Sequence, residues 1–232
     1  MKLDPLFKWF GSKWRAAKKY PEPLTNKIIE PFAGGAGYAL NFADRDVTIY
    51  DTDPNLIALW KYLISAKSDE IRAIPINLPF KTDIATLGLN QGQALLLKNW
   101  QRTNNTSSCN TISKWGNQPG QFTAYTRARV ADQVQAIKHW QFDENCWNDK
   151  AATYFIDPPY QYNIKYKIIK RMDYAILAQD VKSIAKHNQV IVCEALGKNG
   201  EIPEWLDFKA SHTTATMKKG KRSSELVWLA NC

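Results

Sequence analysis

The sequence predicts an α/β fold, because short β-forming segments alternate with segments of helical periodicity. Residues 28–29 and 47–50 predict two strands, and an amphipathic helix follows the second of them. A third buried strand, 154–156, ends at an acid and two prolines. Residues 174–187 then show helical periodicity, and the apolar run 190–193 predicts a fourth strand.

The composition is that of a folded globular protein rather than a disordered, disulfide-rich or membrane-spanning one. The 232 residues are 44% hydrophobic, which suits one domain with a sizeable insertion, or two small ones, and excludes general disorder. No apolar run reaches the ~18–20 residues that span a bilayer, and the first residues lack the apolar core of a secretory signal. The four cysteines are widely spaced without a nearby histidine pair, so we predict neither a zinc site nor a disulfide framework. A reducing cytoplasm is the expected compartment.

Charge is unevenly distributed along the chain. The net charge is +9, and residues 84–131 contain no Asp or Glu. This acid-free segment carries Lys98, Arg102, Lys114, Arg127 and Arg129. Removing carboxylates from a long polar segment favours a surface that lies against phosphates, although a neutral polar loop region would have the same composition.

The first strand leads into a glycine-rich turn. Pro31 ends the strand, and the glycines of 34–37 let the backbone pass close to a ligand before a helix near Tyr38. The next strand ends on Asp51, roughly 20 residues after the glycines, a spacing that fits a carboxylate accepting both hydroxyls of a ribose. This unit predicts a cofactor that carries a nucleoside, while a glycine turn alone also serves tight strand-to-helix packing. Asp53 is then positioned to cap a helix whose first residue is proline.

Residues 75–141 interrupt the α/β rhythm with prolines and glycines. Within them, 87–100 predicts one helix, 115–122 a hairpin or loop, and 126–140 a helix that returns to the core. We interpret the segment as an insertion rather than an independent domain.

The third strand ends in an unusual corner. Asp157 follows the strand, and Pro158 and Pro159 fix φ near −65° and remove two backbone donors, so neither helix nor sheet continues. Tyr160 then places an aromatic ring opposite the acid. Such a corner suits a flat group with a free amino group, which donates to the Asp157 carboxylate and to a carbonyl while Tyr160 covers its face. The simpler interpretation is a strand that ends in a proline turn.

Two basic segments follow the corner. The loop 161–171 contains Lys165, and residues 218–222 predict a basic turn between two antiparallel strands, 208–216 and 226–229. The loop either closes over a substrate or is a mobile surface segment. The basic turn either contacts phosphate or is a solvated charge run.

Several ordered motifs together resemble one family. They are Lys8-Trp9-x-Gly11-x-Lys13, Glu30 to Gly37 with its glycine turn, Asp51 at a strand end, and Asp157-Pro158-Pro159-Tyr160. In this order they resemble the Dam-like family of DNA adenine methyltransferases, which use S-adenosylmethionine.

The resemblance implies a Rossmann-like methyltransferase sheet of seven strands, mostly parallel, with helices on both faces and a C-terminal antiparallel hairpin. It implies that 1–74 and 142–232 form the catalytic S-adenosylmethionine-binding domain and that 75–141 is an inserted target-recognition region. The implied activity is site-specific methylation of the adenine amino group in double-stranded DNA, by base flipping and without a metal. A monomer suffices for this chemistry, and a cognate restriction endonuclease is left open.

The resemblance also assigns site residues. The catalytic corner is Asp157, Pro158, Pro159 and Tyr160. The cofactor-binding residues are Trp9, Lys13, Phe32, Gly34, Asp51, Phe142 and Asp157. From the basic segments we predict DNA contacts by Lys114, Arg127, Arg129, Lys165, Lys221 and Arg222.

Other functions remain open at this point. A cytosine amino-methyltransferase uses the same geometry, although serine in place of Asp157 is its commoner signature. Methylation of RNA or of a protein amide fits less well. A DNA-binding regulator that keeps the fold without catalysis is the alternative from a different class.

Overall fold

The structure is a computed structural model that describes residues 1–102, 108–161, 172–195, 203–206, 212–218 and 221–230, the last two segments by their backbone alone. The chain forms two compact units. The first comprises Met1–Arg15, Gly34–Asp44 and Asp51–Phe142, and the second Ala16–Ala33, Arg45–Tyr50 and Asp143–Cys232. The predicted insert 75–141 lies in the first unit together with residues 51–74, and the bounds of the insert stay a prediction. Its role in target recognition stays a prediction.

Seven strands and five α-helices form the regular structure of the described residues. The strands are β1 Lys27–Glu30, β2 Asp46–Ile49, β3 Gln141–Phe142, β4 Thr153–Ile156, β5 Gln189–Ala195, β6 His212–Lys218 and β7 Lys221–Ala230. The helices are α1 Pro54–Ser65, α2 Ser68–Arg72, α3 Gln91–Trp100, α4 Ala124–Gln133 and α5 Tyr174–Ile184. Short 3-10 turns lie at Ala17–Lys19, Ala39–Phe42, Ile84–Leu87, Val134–Ile137 and Cys146–Asn148.

The second unit is built on a mostly parallel sheet. Its strands follow the order β2, β1, β4, β5, β7 and β6. The first four are mutually parallel, whereas β7 runs antiparallel to both β5 and β6. Parallel neighbours require crossover connections, which explains why β4 and β5 are separated by the segment that carries α5. The predicted α/β class with a mostly parallel sheet is confirmed.

The C-terminal strands differ from their predicted bounds. Met217 pairs with Arg222 and Lys218 with Lys221, so these basic residues are strand residues and only positions 219–220 separate the two strands. The prediction of a basic turn over 218–222 was therefore wrong in its extent. Strand pairing competes with local turn composition here, and the ten residues of β7 extend through the basic positions.

The core of the second unit lies where the central strands meet α5. Tyr154 and Ile156 of β4 and Val190 and Val192 of β5 are buried, and Val181 of α5 belongs to the same cluster. The N-terminus of α5 is capped by Asp173, whose carboxylate accepts the N–H groups of residues 175 and 176. This packing holds the carboxyl ends of β4 and β5 side by side.

The helices of the first unit begin at side-chain caps. Asp53 accepts the N–H of Asn55 and Pro54 is the first residue of α1, as the sequence predicts. Asn90 caps α3 with a reciprocal bond to Gln93, which explains why the predicted helix 87–100 begins at residue 91.

Two other predicted helices of the first unit are shorter in the structure. The helix 126–140 ends as an α-helix at Gln133, and the helix expected near Tyr38 is a 3-10 turn. In the described part of the chain, no helix is long and apolar enough to cross a membrane.

Candidate active site

The glycine turn of the first unit is held from both sides. Gly34 adopts a φ of +49°, and its N–H donates to Asp51 Oδ2 at 3.0 Å. Its carbonyl accepts from the indole Nε1 of Trp60 at 2.9 Å. Both backbone polar groups are therefore satisfied, and the turn has one defined geometry.

Residues of the N-terminal segment approach this turn too closely to leave room for side chains, which explains why glycine occupies it. A Cβ atom added to Gly34 would lie 2.6 Å from Nε1 of Trp9, and one added to Gly37 would lie 2.5 Å from the backbone nitrogen of Trp14. Ala36, between them, keeps a φ of 45° although it is not glycine. The residues that the sequence places in the Lys8–Lys13 motif thus pack directly on the glycine turn. We call Trp9, Ser12, residues 34–37 and Asp51 the glycine corner.

Asp51 is oriented by the backbone. Its Oδ1 accepts the N–H of Asp53 at 3.0 Å while Oδ2 accepts that of Gly34. Burial raises the pKa of the Asp51 carboxyl, and the backbone hydrogen bonds act in the opposite direction. Each carboxylate oxygen retains a further lone pair, so a pair of vicinal hydroxyls is a suitable additional donor.

Ser12 was missed by the sequence analysis. Its Oγ is buried and has no hydrogen-bond partner among the residues that the structure describes. It lies 2.8 Å from the position of a Cβ on Gly37, at the edge of the same turn. The adjacent Lys13 is almost buried, and its Nζ donates to the Gly11 carbonyl at 3.0 Å. A buried hydroxyl without a partner is a polar atom that a bound ligand would satisfy.

The second corner lies at the carboxyl end of β4. We call Asp157 to Gln161 the proline corner. Pro158 is buried, and Asp157, Pro159 and Tyr160 are each partly exposed. The Pro159 carbonyl accepts a hydrogen bond of 2.6 Å from the hydroxyl of Tyr174, the first residue of α5. The turn is thus fixed by two proline rings and by a tether to a helix.

A buried carboxyl adjoins the proline corner. Glu194 of β5 is completely buried, and it accepts the N–H of Gln161 at 3.3 Å. The strand 190–193 was predicted from the sequence, whereas the acid that follows it was given no role. An acid that continues an apolar run is the signal that would have found it, because a buried carboxyl requires specific donors.

The remaining predicted cofactor residues lie in different surroundings. Phe32 contacts Trp147 edge to face, with ring centroids 6.1 Å apart, in the second unit. Phe142 of the first unit lies under the Lys61 ammonium, 5.2 Å from the ring centroid. The structure brings Trp9, Gly34 and Asp51 into one cluster. The cofactor roles of these three residues, and those of Lys13, Phe32, Phe142 and Asp157, stay predictions.

Two predicted DNA-binding arginines have partners inside the first unit. Arg127 donates to the Ile74 carbonyl at 2.8 Å. Arg129 donates to Gln133 Oε1 at 2.7 Å and to the Pro5 carbonyl at 3.1 Å. Both guanidinium groups therefore help to hold the fold, and a DNA contact by either stays a prediction.

The other predicted DNA-binding residues divide into two groups. Lys114 lies 4.9 Å from the ring centroid of Trp115 and is exposed. Lys165 lies outside the described residues, and Lys221 and Arg222 lie in β7, of which only the backbone is described.

Two exposed aromatic rings of the first unit each lie beside a lysine. Trp115 is 51% exposed and Phe80 is 59% exposed, with the Lys81 ammonium 5.5 Å from the Phe80 ring centroid. The backbone at Lys81 is held to a second segment, because its N–H donates to the Ile112 carbonyl at 2.9 Å. Each exposed ring therefore has a lysine ammonium beside it, and Trp115 and Lys114 lie inside the acid-free segment.

Comparison with protein families gives a direct match. Residues 9–87 match the model of the D12 class N6 adenine-specific DNA methyltransferase family. The match confirms the resemblance to Dam-like adenine methyltransferases. It covers the glycine corner and ends within the first unit, so the match does not include the proline corner. No protein of curated function matches the chain in sequence.

Two methyltransferases are among the solved structures to which this chain is similar. TrmN from Thermus thermophilus is 13% identical with a TM-score of 0.39, and the alignment covers 94% of this chain and 46% of TrmN. The glycopeptide N-methyltransferase MtfA, solved with S-adenosylmethionine, is 10% identical with a TM-score of 0.38, and 98% of this chain and 75% of MtfA are covered. This chain therefore spans about half the length of TrmN.

Proposed function

We propose that the protein transfers a methyl group from S-adenosylmethionine to the exocyclic amino group of adenine in DNA, after flipping the base out of the helix. The observation that carries the proposal is the proline corner at the carboxyl end of β4. Ligands of parallel α/β sheets bind at this end of the strands, where loops rather than side chains of the sheet form the site.

The proline corner supplies acceptors for an amino group. The Asp157 carboxylate accepts one N–H of the adenine amine. The Pro159 carbonyl already accepts the Tyr174 hydroxyl, so the Pro158 carbonyl is our choice for the second N–H. Two acceptors on one nitrogen favour the tetrahedral geometry that frees its lone pair for attack. Catalysis then depends on alignment and on fixed dipoles rather than on acid–base chemistry.

The glycine corner suits the proposed cofactor. Asp51 would accept the two ribose hydroxyls, and the unpartnered Ser12 hydroxyl and the Lys13 ammonium suit the amino-acid end of the molecule. S-adenosylmethionine supplies an electrophilic methyl group on a positively charged sulfur. The chain has to bind and orient it, and to exclude water from the reacting atoms.

DNA is the proposed partner on the grounds of charge and exposed rings. The net charge of +9 and the acid-free segment provide electrostatic attraction to phosphates. Phe80 and Trp115, each beside a lysine, suit stacking against bases. Flipping a base costs a few kcal/mol, and stacking on Tyr160, worth about 1–3 kcal/mol per base, offsets much of that cost.

One labelling experiment tests the proposal. The purified protein is incubated with double-stranded DNA and tritiated S-adenosylmethionine, and the DNA is digested to nucleosides. Label in methyl-deoxyadenosine is the expected result. Label in deoxycytidine would overturn the choice of base, and absence of label together with absence of cofactor binding would favour a DNA-binding regulator without catalysis.

A further inference from the structure

The carboxyl group of Glu194 occupies an unusual position in the second unit. Residues 190–193 of β5 are buried and apolar, and Glu194 continues the strand with no exposed surface. Burying a carboxyl without hydrogen-bond partners is strongly unfavourable, so neighbouring groups have to donate hydrogen bonds to it.

Three N–H groups provide these hydrogen bonds. Oε1 accepts the N–H of Ala195 at 2.9 Å. Oε2 accepts the N–H of Gln161 at 3.3 Å and the indole Nε1 of Trp205 at 3.1 Å. Every one of these neighbours donates, so the arrangement suits an ionised carboxylate, which only accepts.

One of the donors belongs to the proline corner. Gln161 directly follows Tyr160, so the bond to Glu194 fixes the chain on the far side of the aromatic ring. The Tyr174 hydroxyl fixes the near side through the Pro159 carbonyl. Tyr160 therefore lies between two tethers, one to β5 and one to α5.

We propose that Glu194 is a positioning residue, which holds the proline corner while ionised and releases Gln161 when it takes up a proton. The inference rests on the proposed function, because it assigns Glu194 a part in the same site. Glu194 acts through the backbone of Gln161 and does not itself contact the substrate.

Charged and titratable groups around Glu194 support a transition near neutral pH. Burial raises the pKa of Glu194 to about 7, and the negative charge of Asp157 acts in the same direction, while the three donors oppose it. The Tyr174 phenol on α5 is a further titratable neighbour, whose pKa is raised by burial and by the negative charge of Glu194. On β7, the backbone positions opposite residues 194 and 195 are Leu226 and Glu225.

Protonation has opposite effects on the corner and on the fold. A protonated oxygen is a weaker acceptor, so the longest bond, from Gln161, is the first to be lost, and methyl transfer falls as the pH drops through about 7. The pKa of this carboxyl is higher in the folded chain than in the unfolded one. Its contribution to stability is therefore fully present below the unfolded pKa of about 4.3 and is lost as the pH rises through about 7.

The first experiment compares the pH profile of kcat/KM for the native protein and Glu194→Gln, from about pH 5.5 to about pH 9. We expect the native profile to have an acid limb near pH 7. We expect the variant to be about tenfold less active at alkaline pH, through loss of roughly one charged hydrogen bond, and to lack that limb. An acid limb that persists unchanged in Glu194→Gln would overturn the proposal, whatever the change in stability.

A second variant keeps the carboxyl. Trp205→Phe removes one donor to Oε2, and this donor lowers the pKa of Glu194, so the acid limb should move to higher pH. A limb that stays in place, or moves to lower pH, contradicts the assignment. This variant also covers the case in which Glu194→Gln fails to fold.

A spectroscopic readout separates this inference from the proposed function. The indole N–H resonance of Trp205, assigned by its loss in Trp205→Phe, should titrate near pH 7 in the native protein and stay constant in Glu194→Gln. If this titration occurs but no methyl group is transferred, the proposed function fails and the positioning role for catalysis fails with it, while the hydrogen-bond network stands. A resonance that does not titrate overturns the protonation of Glu194 directly.

Discussion

The glycine corner and the proline corner fix the backbone in two different ways. In the glycine corner the chain bends closely around its neighbours because Gly34 and Gly37 have no side chain, and Trp9 fills the space that a Cβ at Gly34 would need. In the proline corner the chain is stiff because the rings of Pro158 and Pro159 restrict φ, and this does not depend on close packing against another segment. The first corner therefore depends on contact with its neighbours, whereas the second has much of its shape before it folds.

The two corners also treat their polar groups differently. The Gly34 N–H and carbonyl are both satisfied by side chains of the first unit, Asp51 and Trp60. The proline corner has fewer donors of its own, and one of its tethers ends at the carboxyl of Glu194, whose pKa is near 7. From this difference we expect the glycine corner to respond mainly to changes in packing, and the proline corner to changes in hydrogen bonding and pH.

The largest effect is expected at the proline corner. Asp157→Ala removes an acceptor for the substrate amine, so methyl transfer should fall by at least about 10²–10³-fold while cofactor binding is largely retained. Turnover is measured with labelled S-adenosylmethionine, and cofactor binding by calorimetry. Glu204→Ala, which removes an exposed carboxyl of the same unit, is the matched control. Near-normal methylation by Asp157→Ala would contradict the proposed role of Asp157 in methyl transfer.

The glycine corner is tested by a methyl group. Gly34→Ala should destabilise the fold in two ways. An alanine in a left-handed φ costs about 1–2 kcal/mol, and overpacking against Trp9 costs about 1–3 kcal/mol. Gly88→Ala is the control, because Gly88 also has a positive φ of +66° but nothing lies within 4 Å of the added atom. Urea unfolding should show a larger decrease in the free energy of unfolding for Gly34→Ala than for Gly88→Ala. Equal losses would mean that contact with Trp9 does not specify this turn.

A smaller effect is expected from the tether to α5. Tyr174→Phe removes the hydrogen bond to the Pro159 carbonyl, and a loss of about 0.5–1.5 kcal/mol predicts a decrease in kcat/KM of up to about tenfold. Tyr62→Phe removes another buried hydroxyl, one without a partner among the described residues, and should leave activity unchanged. If the two variants behave alike, the tether does not position the corner.

The smallest effect concerns the surface of the first unit. Lys114→Ala should weaken DNA binding and reduce the salt dependence of binding by about one ion, without lowering the melting temperature. The same measurement tests the predicted DNA contacts of Arg127 and Arg129, whose removal should also lower stability because each donates to a backbone carbonyl. An unchanged salt slope in all three variants would remove these residues from the interface.

The local sequence correctly predicted the ends of helices and strands where a single residue type restricts the backbone conformation. Asp53 and Pro54 predicted the start of α1, and Asp157 with two prolines predicted the end of β4. Prediction was poorer where capping or pairing partners decide the bounds. Asn90 shortens α3 through its bond to Gln93, and strand pairing places Lys221 and Arg222 in β7 rather than in a turn.

The sequence by itself determined the order of the elements and the two corners, because glycine, proline and capping residues act on the backbone next to them. Only the tertiary structure decided what holds the corners. Trp60 reaches Gly34 across 26 residues, Tyr174 reaches Pro159 across 15, and Glu194 reaches Gln161 across 33. Such partners are set by the order of the strands and the packing of the helices, which a local pattern of residues does not encode.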